Sequence, residues 1–321
     1  MRSPLRLLIV LAAMGWGALA LGADLKVIDQ TWVDSARQRD VPVRIHLPPG
    51  AGPHAVILFS HGLGGSRAGG ARWGEVWAAD GFITIHLQHP GSDEALWKDK
   101  RPLVGLLALR QGASVENALA RGQDVKFALD EVARRKAAGD ALLSGADLAH
   151  VGLAGHSFGA QTAMMMAGEG PADARLVDAR LVDARIVAVI AMSPAARGPE
   201  AGHAERFGNI AIPVLCLTGT EDRAPLLNDV EPANRRLPWR YMRGPDKFML
   251  VLSGADHMVF NGDPEGRKWS EANRVVHAPL IERVTLAFWN AYLRGDGVAR
   301  SQLGQGAIAS EVGDRGEWFA K

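Results

Sequence analysis

Apolar and polar positions divide the chain into two alternating kinds of segment. Continuous apolar runs fall at residues 55–60, 82–87, 150–154, 186–192, 213–218 and 248–253. Runs this short, with no polar alternation, predict strands buried on both faces of a parallel sheet. Between them lie helical patterns at 71–80, 114–138, 160–167 and 279–293. Ahead of the first run, residues 25–32 and 41–47 alternate across a charged turn at 35–40, which predicts two antiparallel lead strands. Strands alternating with helices predict an α/β fold: a mostly parallel central sheet with helices on both faces. Residues 90–112 carry few strong signals and are expected as a long loop beside the sheet's carboxyl edge, where loops often shape clefts.

The run at 150–154 passes directly into Gly155-His156-Ser157-Phe158-Gly159 and then into good helix formers. Strand, sharp turn and helix in that order make a nucleophile elbow, whose serine stands on a strained corner that tolerates only small neighbours. Gly155 and Gly159 meet that need, so Ser157 is the expected nucleophile. A hydroxyl is a poor nucleophile at neutral pH; a histidine must take its proton and a carboxylate must orient that histidine. The run at 213–218 ends in Gly219-Thr220-Glu221-Asp222, and the run at 248–253 ends in Gly254-Ala255-Asp256-His257. Both loops are expected on the same sheet edge as the elbow, with Asp222 as acid and His257 as base. Glu221 competes with Asp222, whereas Asp256 is expected to cap its turn because adjacent side chains rarely face each other. Of the other histidines, His46 and His86 lie within expected strands, His54 precedes one, His156 belongs to the elbow, and His203 and His277 follow no buried run.

Attack generates an oxyanion, which needs preorganised backbone donors. The N–H of Phe158, just after the nucleophile, is one expected donor. The N–H of Leu63, in the loop Ser60-His61-Gly62-Leu63-Gly64-Gly65, is the other, with His61 bracing that loop. Trp97, Met258 and Phe260 are candidates for an apolar acyl pocket, and Met164-Met165-Met166 is expected to fill the core behind the elbow.

Composition narrows the setting. Arg2 and Arg6 precede an apolar stretch at 7–14 and small residues up to Ala23, the pattern of a secretory signal peptide over residues 1–23, with cleavage after Ala20 or Ala23. Residues 24–321 are then expected as a single exported catalytic domain, periplasmic or extracellular, with no stable membrane anchor. Cys216 is the only cysteine, so no intramolecular disulfide forms and packing must hold the fold. The 36 basic and 35 acidic residues give a formal charge of +1. Such a balance offers no electrostatic argument for nucleic acid or an anionic membrane as partner. No cofactor motif and no metal-ligand spacing appears. A tandem DARLV-DARLV-DARIV repeat at 173–187 is far shorter than a solenoid unit and is expected to extend the loop or helix before a strand.

With the elbow GHSFGA, the loop FSHGLGG, the acid loop TGTED and the histidine loop GADHMVF in this order, the chain resembles the α/β-hydrolase family. More narrowly, it is similar to the bacterial branch of predicted dienelactone hydrolases related to platelet-activating-factor acetylhydrolase, a likeness that includes His89-Pro90-Gly91-Ser92-Asp93 and spans roughly residues 40–295. The resemblance implies a metal-independent carboxylic ester hydrolase with Ser157, Asp222 and His257 as triad and the Leu63 and Phe158 amides as oxyanion hole. Its substrate would be a small-molecule or lipid ester. Dienelactone hydrolases proper use a cysteine nucleophile; here serine holds the elbow and Cys216 lies in an expected strand. An amidase or peptidase of the same fold shares this chemistry, and a secreted binding module that has lost catalysis is the contrasting class.

Overall fold

The computed structural model describes residues 25–170, 181–196, 198–224, 230–262, 269–304 and 306–321. The expected leader at 1–23 lies outside the described residues, as do the first repeat copy and most of the second. Two antiparallel strands, β1 (Lys26–Asp34) and β2 (Arg39–Leu47), come first. They are followed by β3 (His54–Ser60), α1 (Ala71–Ala79), β4 (Ile83–Leu87), α2 (Pro102–Gly112), α3 (Val115–Ala137), β5 (Ala146–His156) and α4 (Phe158–Met166). Next are β6 (Ile186–Met192), α5 (His203–Gly208), β7 (Val214–Glu221), α6 (Leu237–Tyr241) and β8 (Lys247–Asp256). The chain finishes with α7 (Ala278–Leu293), α8 (Gly297–Gly304), α9 (Ala307–Val312) and β9 (Gly316–Ala320).

The nine strands of the described residues join one mixed sheet in the order β1-β2-β4-β3-β5-β6-β7-β8-β9. The six from β4 to β8 are parallel, while β1 and β2 at one edge and β9 at the other are antiparallel to their neighbours. Successive strand residues point to opposite faces. In β3, Val56 and Leu58 therefore enter a core with Val125 and Leu129 of α3 and Met164 of α4. Ile57 and Phe59 enter the other, with Trp73 and Trp77 of α1 and Phe288 and Trp289 of α7. A sheet covered on both sides needs apolar residues at every position, which is why these segments read as unbroken runs. The indole N–H groups of Trp73 and Trp77 donate to Phe260 O and Thr285 Oγ1, both at 3.0 Å, so these two rings enter the core with their donors satisfied, whereas the buried Trp289 N–H has no partner among the described residues.

Local signals set the element ends. Ser114 caps α3 by accepting from the Asn117 N–H at 3.1 Å, and Arg134, Arg135 and Lys136 place positive charge where the helix dipole is negative. The short helices α5, α6, α8 and α9 were not among the expected elements, and two further features depart from the expected map. Residues 90–112, expected as a loop, contain the helix α2, which begins at Pro102 because proline suits a first helical turn. The closing strand β9 was not expected, since Gly316-Glu317-Trp318-Phe319-Ala320 is short and alternates weakly; pairing with β8 makes it a strand. The parallel strands β3, β5, β7 and β8 all end on one edge of the sheet, and the loops they feed meet there.

Candidate active site

Ser157 sits between β5 and α4 at φ 56° and ψ −113°, a conformation that non-glycine residues seldom adopt. The turn is tight enough that a Cβ on Gly155 would lie 2.2 Å from Gly159 O, and one on Gly159 would lie 1.8 Å from Ser60 O. Glycine at both places is therefore a steric requirement of the corner. The loop after β3 packs against it: a Cβ on Gly62 would lie 3.4 Å from Ser157 Cβ. Leu63, in that loop, lines the cavity into which Ser157 faces. Among the described residues neither the Leu63 N–H nor the Phe158 N–H donates to a protein acceptor, so both remain available to an oxyanion.

His257 follows β8, and its Nδ1–H donates to Asp222 Oδ1 at 2.6 Å. That bond fixes the tautomer and leaves Nε2 as the basic nitrogen. Asp222 is fully buried just beyond β7; its Oδ2 accepts from Thr218 Oγ1 at 2.8 Å. The guanidinium of Arg235, itself buried, stands 2.9 Å from Oδ1 and donates to Asp222 O at 2.7 Å and to Ser193 O at 2.9 Å. Burial pushes the Asp222 pKa up, but the His257 hydrogen bond and the charges of His257 and Arg235 outweigh it, and the net shift is downward. Glu221 is exposed at the end of β7. Asp256 caps its turn, with Oδ1 accepting from the Met258 and Val259 N–H groups at 2.8 and 3.0 Å. Ser157 and His257 line the same cavity of about 670 Å³, and Ser157 Oγ makes no hydrogen bond among the described residues. Catalytic hydrogen bonds in a ligand-free site are often long and close only on the reacting complex.

No family model matches the chain, and no curated protein does.

Three side chains that sequence reasoning passed over support this constellation. His156 Nε2–H donates to His257 O at 2.9 Å, and its ring lies 4.6 Å from that of His257, so the elbow braces the loop carrying the base. Arg235 anchors Asp222. Arg121 of α3, wholly buried, donates from Nη1 to Ser92 Oγ at 2.8 Å and from Nε to Thr162 Oγ1 at 3.2 Å. It also donates to His61 O, and it stacks 4.5 Å over the Phe158 ring. One guanidinium thus ties the Leu63 loop to the helix that starts with Phe158, holding the two candidate oxyanion donors relative to each other. Of the three apolar candidates, Trp97 and Met258 line the cavity. Phe260 does not: its ring belongs to the α1–α7 core, and its carbonyl accepts the Trp73 indole.

A second serine–histidine–aspartate relay lies beneath the first. Ser60 Oγ is 2.9 Å from His89 Nε2, and His89 Nδ1 is 2.9 Å from Asp124 Oδ2, with all three residues wholly buried. Asp124 also accepts from Arg39 Nε at 2.8 Å, and Ser60 Oγ accepts from Arg121 Nη2 at 3.1 Å. None of the three lines the cavity, so this relay fastens the loop from inside. His61 extends it, accepting the His89 N–H at Nε2 (3.0 Å) and donating from Nδ1 to Gly62 O at 2.6 Å. Cys216 is buried in β7, and burial pushes its thiol up to about 12, which makes it inert as a nucleophile.

These buried histidines are expected to make the fold acid-sensitive. Burial, helped by the nearby Arg121 charge and opposed by Asp124, lowers the His89 pKa to about 4. Burial likewise holds His61 and His156 well below the usual value. Between the unfolded value of 6.5 and about 4, the unfolded chain binds a proton at position 89 and the folded chain does not. The stability that depends on neutral His89 is therefore complete above 6.5 and is lost as the pH falls through about 4. The expected loss is about 3 kcal/mol for this residue alone. Urea unfolding at a series of pH values checks it; a free energy that stays flat across that window would refute the assignment.

Proposed function

We propose that the protein is an exported serine carboxylic ester hydrolase with the α/β-hydrolase fold. The observation that carries this reading is the Asp222–His257 hydrogen bond of 2.6 Å beside a cavity that Ser157 shares, with two unspent backbone N–H donors, Phe158 at the elbow and Leu63 in the loop after β3. The mostly parallel sheet, with its loops gathered at one carboxyl edge, supports the fold, and the leader pattern at 1–23 supports export.

The mechanism follows from the geometry. His257 Nε2 takes the Ser157 hydroxyl proton as Oγ attacks the ester carbonyl, and the carbonyl oxygen gains the electron pair. The Leu63 and Phe158 N–H groups stabilise that negative charge in a setting partly shielded from water, where each such donor is typically worth about 3 kcal/mol of barrier. Asp222 stabilises the imidazolium, which then gives its proton to the leaving alcohol. Water, deprotonated by His257, attacks the resulting acyl-enzyme; the acid departs and Ser157 recovers its proton. The apolar wall formed by Leu63, Trp97, Leu106, Leu109 and Met258 suits the acyl chain of a short or lipid-like ester.

A fluorophosphonate probe tests this directly, because it reacts only with a serine activated in this way. Peptide mapping is expected to find the adduct on Ser157 and none on Ser60, alongside hydrolysis of p-nitrophenyl esters. Absence of both labelling and hydrolysis would sink the reading.

A further inference from the structure

The outer face of α2 is the most apolar surface of the described residues. Leu103 is 68% exposed, Val104 52%, Leu107 50% and the neighbouring Trp97 41%. The other exposed large apolar side chains are single valines scattered elsewhere among the described residues, the ordinary background of a protein surface. Leu103 and Leu107 are one helical turn apart and share a face with Val104 beside it. Surface of this kind, clustered and uncovered, marks an interaction site.

Charge indicates what covers it. Lys98, Lys100, Arg101 and Arg110 flank the apolar residues along the chain, against the acids Glu94, Asp99 and Glu116 over the same stretch. Lys98 pairs with Glu94 at 3.3 Å. Lys100, Arg101 and Arg110 have no ion-pair partner among the described residues. Leucines and a tryptophan rimmed by unspent cations fit an interfacial helix on an anionic bilayer, with apolar side chains among the acyl chains and cations at the headgroups. A second copy would bring the same cations against themselves, and the chain's own apolar leader carries Arg2 and Arg6, so neither complements the rim as well.

We propose that α2 seats the protein on an anionic phospholipid surface and that ester chains leave that surface along the helix to reach Ser157. The second half of this rests on the esterase reading; the docking does not. The route is continuous, since Leu106 and Leu109 of the same helix turn inward to line the cavity while Leu103 and Leu107 face out. The helix also bears on the oxyanion loop: Trp97 Nε1 donates to Gly64 O at 2.7 Å, and Leu109 packs against Gly64. The near-neutral net charge does not oppose this, because a local patch acts within a Debye length of the surface.

Vesicle sedimentation tests the docking. The purified protein is expected to pellet with mixed phosphatidylglycerol–phosphatidylcholine vesicles and far less with phosphatidylcholine alone. Leu103→Asp/Leu107→Asp should weaken that binding at least roughly tenfold. The same variant should retain the wild-type circular-dichroism spectrum and the wild-type rate on a dissolved p-nitrophenyl butyrate. Lys100→Glu/Arg101→Glu/Arg110→Glu should abolish the preference for phosphatidylglycerol. Equal binding by wild type and the leucine variant, equal binding to both vesicle types, or a dimer that the leucine variant splits would each overturn the proposal. Ser157→Ala should bind vesicles as wild type does, so the sedimentation result stands even if ester hydrolysis is never found.

Discussion

Ser157→Ala is expected to lower kcat on a dissolved p-nitrophenyl ester by about a millionfold, the loss that follows when a triad's nucleophile is removed. KM should barely move, because the cavity walls remain. The companion variant Ser157→Gly loses the same activity but gains stability. At φ 56° and ψ −113° a side chain at this position is strained, which costs roughly 1–3 kcal/mol. Alanine keeps that strain and glycine releases it, at the expense of roughly 0.5–1 kcal/mol in unfolded-chain entropy. Ser157→Gly should therefore unfold about 1–2 kcal/mol harder than Ser157→Ala in urea. Activity surviving in either variant would place the nucleophile elsewhere; equal stability of the two would show that the corner stores no strain.

Asp222→Asn is expected to lower kcat by about 10⁴-fold. The carboxylate accepts the His257 Nδ1–H at 2.6 Å and so keeps Nε2 free to take a proton. An amide at that position can donate as well as accept, and the opposite tautomer would leave the proton on Nε2, where no base remains. The amide also lacks the charge that stabilises the imidazolium. Arg235, buried beside Oδ1, loses its counter-charge in the variant, a second effect that appears as lower stability of several kcal/mol at most. Kinetics and urea unfolding on the same preparation separate the two. A kcat within tenfold of wild type would mean that Asp222 does not orient the base.

What was legible in the sequence shares a physical origin. Strands such as 55–60 and 186–192 face apolar layers on both sides, so every residue carries the signal. The elbow declares itself because Gly155 and Gly159 are forced by contacts of 2.2 and 1.8 Å. Asp222 and His257 stood out because each ends a buried run, and the structure joins them by a hydrogen bond. What stayed hidden depends on partners remote in the chain. Arg121 lies 60 residues from His61 and 41 from Thr162, and on its own helix it reads as one more solvated arginine. Arg235 reads the same way. His89 and Asp124 meet across 35 residues, and nothing at either position announces the other. The helix α2 escaped notice because apolar residues occupy nearly its whole circumference, which erases the periodicity that marks an ordinary surface helix. Phe260 misled because an aromatic near His257 suits a pocket wall and a core equally well, and only packing decides between them.

The buried relay of Ser60, His89 and Asp124 also changes how the triad beside it is understood. Two sets of the same three groups occur in one chain, the inner with its serine–histidine contact made and the outer with Ser157 Oγ unbonded among the described residues. Both contain a histidine hydrogen-bonded to a buried aspartate, so that bond alone does not distinguish a catalyst from a fastener. What differs is vacancy: Ser157 lines a cavity with room for a foreign carbonyl, whereas Ser60 is wholly buried, lines no cavity and already accepts from Arg121. A redesign that emptied the Arg121 site would not simply free the inner serine, because the guanidinium that binds Ser60 is also the one that ties the Leu63 loop to the helix beginning at Phe158.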